Sequence, residues 1–141
     1  MRKLQSLFEE WGKYSCLAQC YLASVAYENE LPEDAAEIFI AGSLLSSKAL
    51  GEECYVKDSV TLMKDSWKLY SGEDIYPNVI KKSLSDLSEL STIKWAAVEW
   101  KYNDKSHFIL HKYGIRFYDS LKDSQCAKYG KPVSVRIIEF K

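Results

Sequence analysis

Three residues far apart in the chain have the side chains of a nucleophile, a base and a group that orients the base: Cys16, His107 and Asp119. A thiol becomes a strong nucleophile when a base within hydrogen-bonding reach takes its proton. The base in turn needs a third group that fixes its ring orientation and tautomer. The order of these residue types predicts a Cys-His-Asp system, on condition that the fold brings the three side chains together.

Cys16 opens a helix-length segment, 14–27, that is interrupted only by Gln19 and two serines. A segment that is apolar on nearly every side belongs inside the fold. With Ser15 as its N-cap, this helix would hold Cys16 at its mouth, where unpaired backbone N–H groups favour a thiolate. Cys20 follows one turn later on the same face, and we expect it to be an inert small hydrophobic residue.

The first half of the chain is predicted to be helical and the second half to be a sheet. The predicted helices are 4–11, 14–27, 32–49 ended by Gly51, and 59–71 between an Asp58 cap and Gly72. A turn is predicted at 76–78, with a short strand opening at 79–80. The predicted strands of the second half are 93–102, 107–112, 115–118 and 133–140, with a loop over 119–132. Helices followed by an antiparallel meander indicate one α+β domain over 1–141.

The hairpin geometry decides whether His107 and Asp119 meet. The two lie twelve positions apart, on either side of the Tyr113-Gly114 turn. An antiparallel pair joined by a tight turn returns Asp119 to the neighbourhood of His107. The sequence therefore predicts contact between the base and the acid.

Composition and charge narrow the function classes. Hydrophobic residues make up 47% of the 141 positions, and the net charge is −1 with lysines and arginines scattered along the chain. This pattern predicts no nucleic-acid partner and no membrane partner. Glu9 and Glu10 interrupt the apolar region that a signal peptide needs, so we expect a cytoplasmic protein with reduced cysteines and no cofactor.

Other interpretations of the same residues stay open. Cys16 can be an ordinary buried cysteine, His107 a structural histidine, and Asp119 the cap of a turn. The spacing of cysteines and histidines matches no zinc pattern, although a site of Cys16, Cys20, His107 and His111 remains an alternative. Five aromatic residues are predicted to pack in the core: Trp95, Trp100, Tyr102, Phe117 and Tyr118.

The chain resembles the papain-like cysteine peptidase fold, in the compact form of the bacteriocin-leader-peptidase-like proteins and related bacterial and phage families. Three segments carry the resemblance: Tyr14-Ser15-Cys16-Leu17, Ser106-His107-Phe108-Ile109-Leu110, and Tyr118-Asp119-Ser120-Leu121 followed by a terminal strand. The resemblance implies that Cys16 is the nucleophile, His107 the general base and Asp119 the orienting acid. It also implies a peptide or protein as substrate or partner, and it says nothing of the oligomeric state.

The residues before Cys16 depart from that family. A glutamine about six residues ahead of the nucleophile usually donates to the oxyanion, and Glu10 stands there instead. Gln19, the Cys16 amide and, less directly, Gln5 are the remaining candidate donors. Since losing one donor costs about 10²–10³ in rate, the sequence predicts either a slow cysteine hydrolase or a degenerate papain-like module that binds a peptide or protein.

Overall fold

The computed structural model describes residues 15–51, 54–121 and 124–141, which form a mixed α+β structure. The described α-helices are α1 (Ser15–Glu28), α2 (Glu33–Ser46), α3 (Ser59–Ser71) and α4 (Gln125–Tyr129). The strands are β1 (Pro77–Ser83), β2 (Trp95–Tyr102), β3 (Lys105–Lys112), β4 (Ile115–Tyr118) and β5 (Lys131–Phe140), with a 3₁₀ helix at Leu87–Leu90. The predicted α+β class is confirmed.

The strands form one antiparallel sheet in the order β1-β5-β2-β3-β4. The last strand, β5, lies between β1 and β2 and pairs with both, with Val79 opposite Ile138 and Val98 opposite Val135. Strands β2 and β3 are joined as a hairpin at 103–104 and pair along their whole length. The hairpins predicted for the second half of the chain are therefore present.

The two faces of the sheet pack against different layers. Trp95 and Ala97 face the cluster of buried side chains that α1, α2 and α3 contribute, whereas Ala96 and Val98 face a second cluster that includes residues of the 3₁₀ helix and α4. Alternate side chains of a strand point to opposite faces, so a strand covered on both sides must be apolar at every position. The run from Trp95 to Val98 meets that requirement.

Helix α1 is the centre of the helical layer. Ten of its fourteen residues are buried, and it contacts α2, α3 and β3. The sequence predicted this position, because the segment has no wide polar face. The helix that carries Cys16 is thus held on several sides by packing.

The helix ends follow the predicted capping residues in part. Asp58 caps α3 by accepting a hydrogen bond from the Thr61 amide at 3.1 Å, and Gly72 ends it with a φ of 78°. Helix α2 ends at Ser46, before the predicted end at 49, and Pro32 occupies its N-cap instead of its first helical position. Helix α2 itself was predicted, and only the positions of its two ends differ from the prediction.

Two predictions for the connections are wrong. The turn predicted at 76–78 is the start of β1, where Pro77 pairs with Phe140; β1 is an edge strand, where a residue without an N–H is tolerated. The loop predicted over 119–132 contains α4, which Ser124 caps by accepting from the Ala127 amide. The helix predicted at 4–11 lies outside the described residues.

None of the helices in the described ranges is both long enough and apolar enough to cross a bilayer.

The packing of α1 predicts which leucine matters for stability. Leu22 is fully buried in α1, and Leu45 on α2 is 73% exposed. Replacing Leu22 by Ala should lower the free energy of unfolding by about 2–5 kcal/mol, since it removes apolar contacts and leaves a cavity. Leu45→Ala, the matched control, should change it by no more than about 0.5 kcal/mol. Urea unfolding of both variants measures the difference, and equal losses would contradict the central position of α1.

Candidate active site

Cys16 lies in the first turn of α1 as described and borders a cleft of about 890 Å³. The helix already includes Ser15, so the prediction that Ser15 is the N-cap is wrong. Cys16 nevertheless lies near the N-terminal end of the described part of α1. Its side chain is half-buried, so solvent and a ligand can reach the sulfur from the cleft.

His107 and Asp119 are in direct contact. The His107 Nε2 atom lies 2.5 Å from Asp119 Oδ1, and the two side chains are 7% and 16% exposed. Asp119 Oδ1 also accepts a hydrogen bond from the Leu121 amide at 2.9 Å, which fixes the carboxylate. With Nε2 bonded to the carboxylate, Nδ1 is the ring nitrogen left for another partner.

The pairing of β3 with β4 contains a bulge shortly before Asp119. His111 is opposite Arg116 but Leu110 is opposite Tyr118, so Phe117 is an extra residue on β4. Strand β4 ends at Tyr118, and Asp119 follows it directly, with its carboxylate bonded to His107 and to the Leu121 amide.

Cys16 completes the group, because it lies close enough to the His107 ring to affect the pKa of the imidazole. Burial by itself would lower the pKa of His107. The hydrogen bond to Asp119 and the interactions with Cys16 outweigh burial and raise the pKa from 6.5 to about 9. The ring therefore carries a proton at neutral pH.

Cys20 lies one turn below Cys16 and is almost completely buried. Burial, reinforced by the neighbouring Cys16 and Asp119, holds the pKa of the Cys20 thiol well above its usual value. A thiol in that state is a poor nucleophile at neutral pH. This environment agrees with the expectation of an inert residue.

Gln19 does not border the cleft. Its side chain is fully buried, and its Oε1 accepts a hydrogen bond from the Tyr118 hydroxyl at 2.9 Å. Its Nε2 makes no hydrogen bond within the described part of the chain. Gln5 and Glu10, the other two positions considered for the oxyanion, lie outside the described residues.

His111 belongs to a separate arrangement. Its Nε2 accepts from the Trp100 indole at 3.3 Å, and its Nδ1 lies 3.2 Å from the Gly114 carbonyl, which requires a proton on Nδ1. Burial lowers the pKa of His111, so the ring is neutral. Both ring nitrogens are engaged, and no group of three or more candidate metal ligands occurs in the ranges that the structure describes.

The cleft beside Cys16 has three walls. Leu17 and Tyr21 of α1 form the first. The segment that leads into α3 forms the second wall, with Tyr55, Val56, Lys57 and Ser59. The sheet and its β2–β3 hairpin form the third wall, with Glu99, Asp104, Lys105, Ser106, Phe108 and Arg136. Sequence reasoning missed Arg136, although a charged residue within the apolar strand 133–138 was a signal.

Comparisons with known proteins found no match to a family model, a curated protein or a solved structure.

The site predicts opposite titrations for the two histidines. His107 should stay protonated up to about pH 9, and His111 should be neutral at pH 7, because one ring has anionic partners and the other does not. Asp119→Asn should lower the pKa of His107 and leave that of His111 unchanged. Imidazole proton shifts followed by NMR from pH 5 to 10 measure both values, and a pKa of His107 near 6.5 in the unaltered protein would contradict the arrangement.

Stability should follow the same titration. Since the folded-state pKa of His107 is raised, its stabilisation is complete below about pH 6.5 and is lost as pH rises through about 9. The stability deficit of Asp119→Asn in urea unfolding should therefore be on the order of 1–3 kcal/mol at pH 6 and become smaller towards pH 9.

Proposed function

We propose that the protein is a cysteine hydrolase of papain-like type that cleaves a peptide or amide bond through a Cys16 thioester. The observation that carries the proposal is that His107 bonds to Asp119 and that Cys16 lies close enough to the same ring to raise its pKa. An inert buried cysteine does not need a histidine beside it, and a structural histidine does not need a thiol at the edge of an open cleft. The three side chains supply the nucleophile, the proton carrier and the group that orients it.

Acylation begins with Cys16 as the thiolate beside the protonated His107 ring, and the sulfur attacks the carbonyl carbon. The new C–S bond leaves a negative charge on the carbonyl oxygen. The C–N bond then breaks, and His107 gives its proton to the departing amine. Water next gives a proton to His107 and attacks the thioester. The C–S bond breaks, which releases the acid and restores the thiolate beside the protonated ring.

Among the described residues, the one donor that we assign to the oxyanion is the backbone amide of Cys16, near the start of α1. Gln19 stays outside the cleft because its carbonyl oxygen is bonded to Tyr118. A single donor predicts slow turnover, since each missing donor costs about 10²–10³ in rate.

A second function is favoured by the same observation on Gln19: a papain-like module that binds a peptide or protein in the cleft and does not cleave it. In that case the cleft serves as a recognition surface, with its aromatic and charged walls. The two functions differ in whether Cys16 forms products.

Cys16 should be alkylated faster than the other cysteines. Cys54 is the matched comparison, because it is also half-buried and burial raises the pKa of its thiol. With iodoacetamide at pH 7, labelling of Cys16 should be about tenfold faster than labelling of Cys54, since His107 stabilises the thiolate. Peptide mass spectrometry at timed intervals measures both rates. His107→Gln should remove the difference, and equal rates in the unaltered protein would disprove a hydrolase.

Turnover separates the two functions. A mixture of peptides incubated with the protein should yield fragments that are absent with Cys16→Ala. If peptides bind but yield no fragments that depend on Cys16, the module that only binds is the function.

A further inference from the structure

Arg136 is the one charged side chain of β5 that borders the cleft, and the chemistry proposed for Cys16 does not use it. Its neighbours Val135 and Ile137 are buried on the other face of the sheet, and its own side chain is only 14% exposed. Desolvating a guanidinium is costly, so such a residue needs partners for its donors.

The partners of Arg136 hold it in place without fully neutralising it. The Nη1 atom donates to Ser134 Oγ at 2.8 Å, and the guanidinium lies 4.7 Å from the centre of the Phe108 ring. The positive charge of Arg136 also favours the ionised form of the neighbouring Tyr21 and so opposes the burial that raises the pKa of Tyr21. Its carboxylate neighbour, Glu99, is 4.0 Å away and already accepts from Ser134 at 2.7 Å. Since a guanidinium has five N–H donors, these contacts leave donors for a ligand.

The charges of the described cleft residues also favour an anion. Arg136 is joined by Lys57 and Lys105, against two carboxylates, Glu99 and Asp104. Both lysines are exposed and movable, whereas the guanidinium is fixed by its contacts. A fixed guanidinium pairs with a carboxylate through two parallel hydrogen bonds, which gives direction as well as attraction.

We propose that Arg136 determines specificity by binding a carboxylate of the substrate peptide while the bond to be cleaved lies at Cys16. The inference rests on the proposed function and adds the substrate class, a peptide with an anionic group near the cleavage point. That group is either an acidic side chain or a free C-terminal carboxylate.

Iodoacetate and iodoacetamide test this, because they differ only in a carboxylate and an amide. Iodoacetamide reports the reactivity of the thiol itself. The ratio of the iodoacetate rate to the iodoacetamide rate should be about tenfold higher at Cys16 than at Cys54 in the same sample, and labelling by iodoacetate should saturate. Arg136→Met should abolish that excess. Lys131→Met is the matched control, an exposed cation on the same strand, and should keep it.

Protection experiments on the unaltered protein keep the test valid if Arg136→Met does not fold. Three small compounds are added separately, at equal ionic strength, as competitors of the labelling reaction. Acetyl-glutamate amide carries a side-chain carboxylate, acetyl-alanine carries a C-terminal carboxylate, and acetyl-glutamine amide is neutral. At least one of the two anions should slow the labelling of Cys16 by iodoacetate, the neutral compound should not, and the effective anion identifies the source.

The proposed role of Arg136 and the proposed hydrolase function can be disproved separately. If Cys16 reacts quickly with iodoacetamide but shows no preference for iodoacetate and no protection, the role of Arg136 is overturned and the hydrolase proposal stands. If Cys16 reacts no faster than Cys54 with either reagent, both proposals are overturned.

Discussion

The candidate site depends on the bond between His107 and Asp119, which joins the first half of β3 to the residue that follows β4. Shortly before Asp119, β4 has one additional residue, Phe117. Two consecutive side chains therefore pack towards α1: Phe117 contacts Trp95 and Tyr27, and the Tyr118 hydroxyl donates to Gln19. A local irregularity in β4 thus fixes the packing of the sheet edge against α1 directly before the acid of the site.

The charges and hydrogen bonds around His107 explain why the imidazole is protonated although it is buried. The ring is mostly buried, and burial favours the neutral form. Asp119 and Cys16 reverse that preference and favour the protonated ring of His107. Four residues later, His111 keeps a neutral ring, because its partners are the Trp100 indole and the Gly114 carbonyl. Two histidines of one strand thus have opposite protonation states because their partners differ.

The sequence was sufficient to predict the three long helices of the described part and the hairpins, and to select the three candidate side chains. The buried helix, the hairpin turn at 113–114 and the Asp58 cap follow from local rules of periodicity, turn chemistry and capping. The bulge at Phe117 was not predictable, since an extra residue in a strand leaves the composition unchanged. Nor was the bond between Gln19 and Tyr118, which joins positions 99 apart. The short α4 was missed because five residues show no helical period.

The strand order limits the sequence in which parts of the sheet can fold during synthesis. The His107–Asp119 pair closes within one hairpin, across twelve residues, whereas β1 and β2 are joined only through β5, with Pro77 paired to Phe140. During synthesis the hairpin can form as soon as it leaves the ribosome, but the sheet cannot close before 131–140 have followed. The topology therefore allows the acid and the base to meet first, and it requires the last strand before the Arg136 side of the cleft can exist.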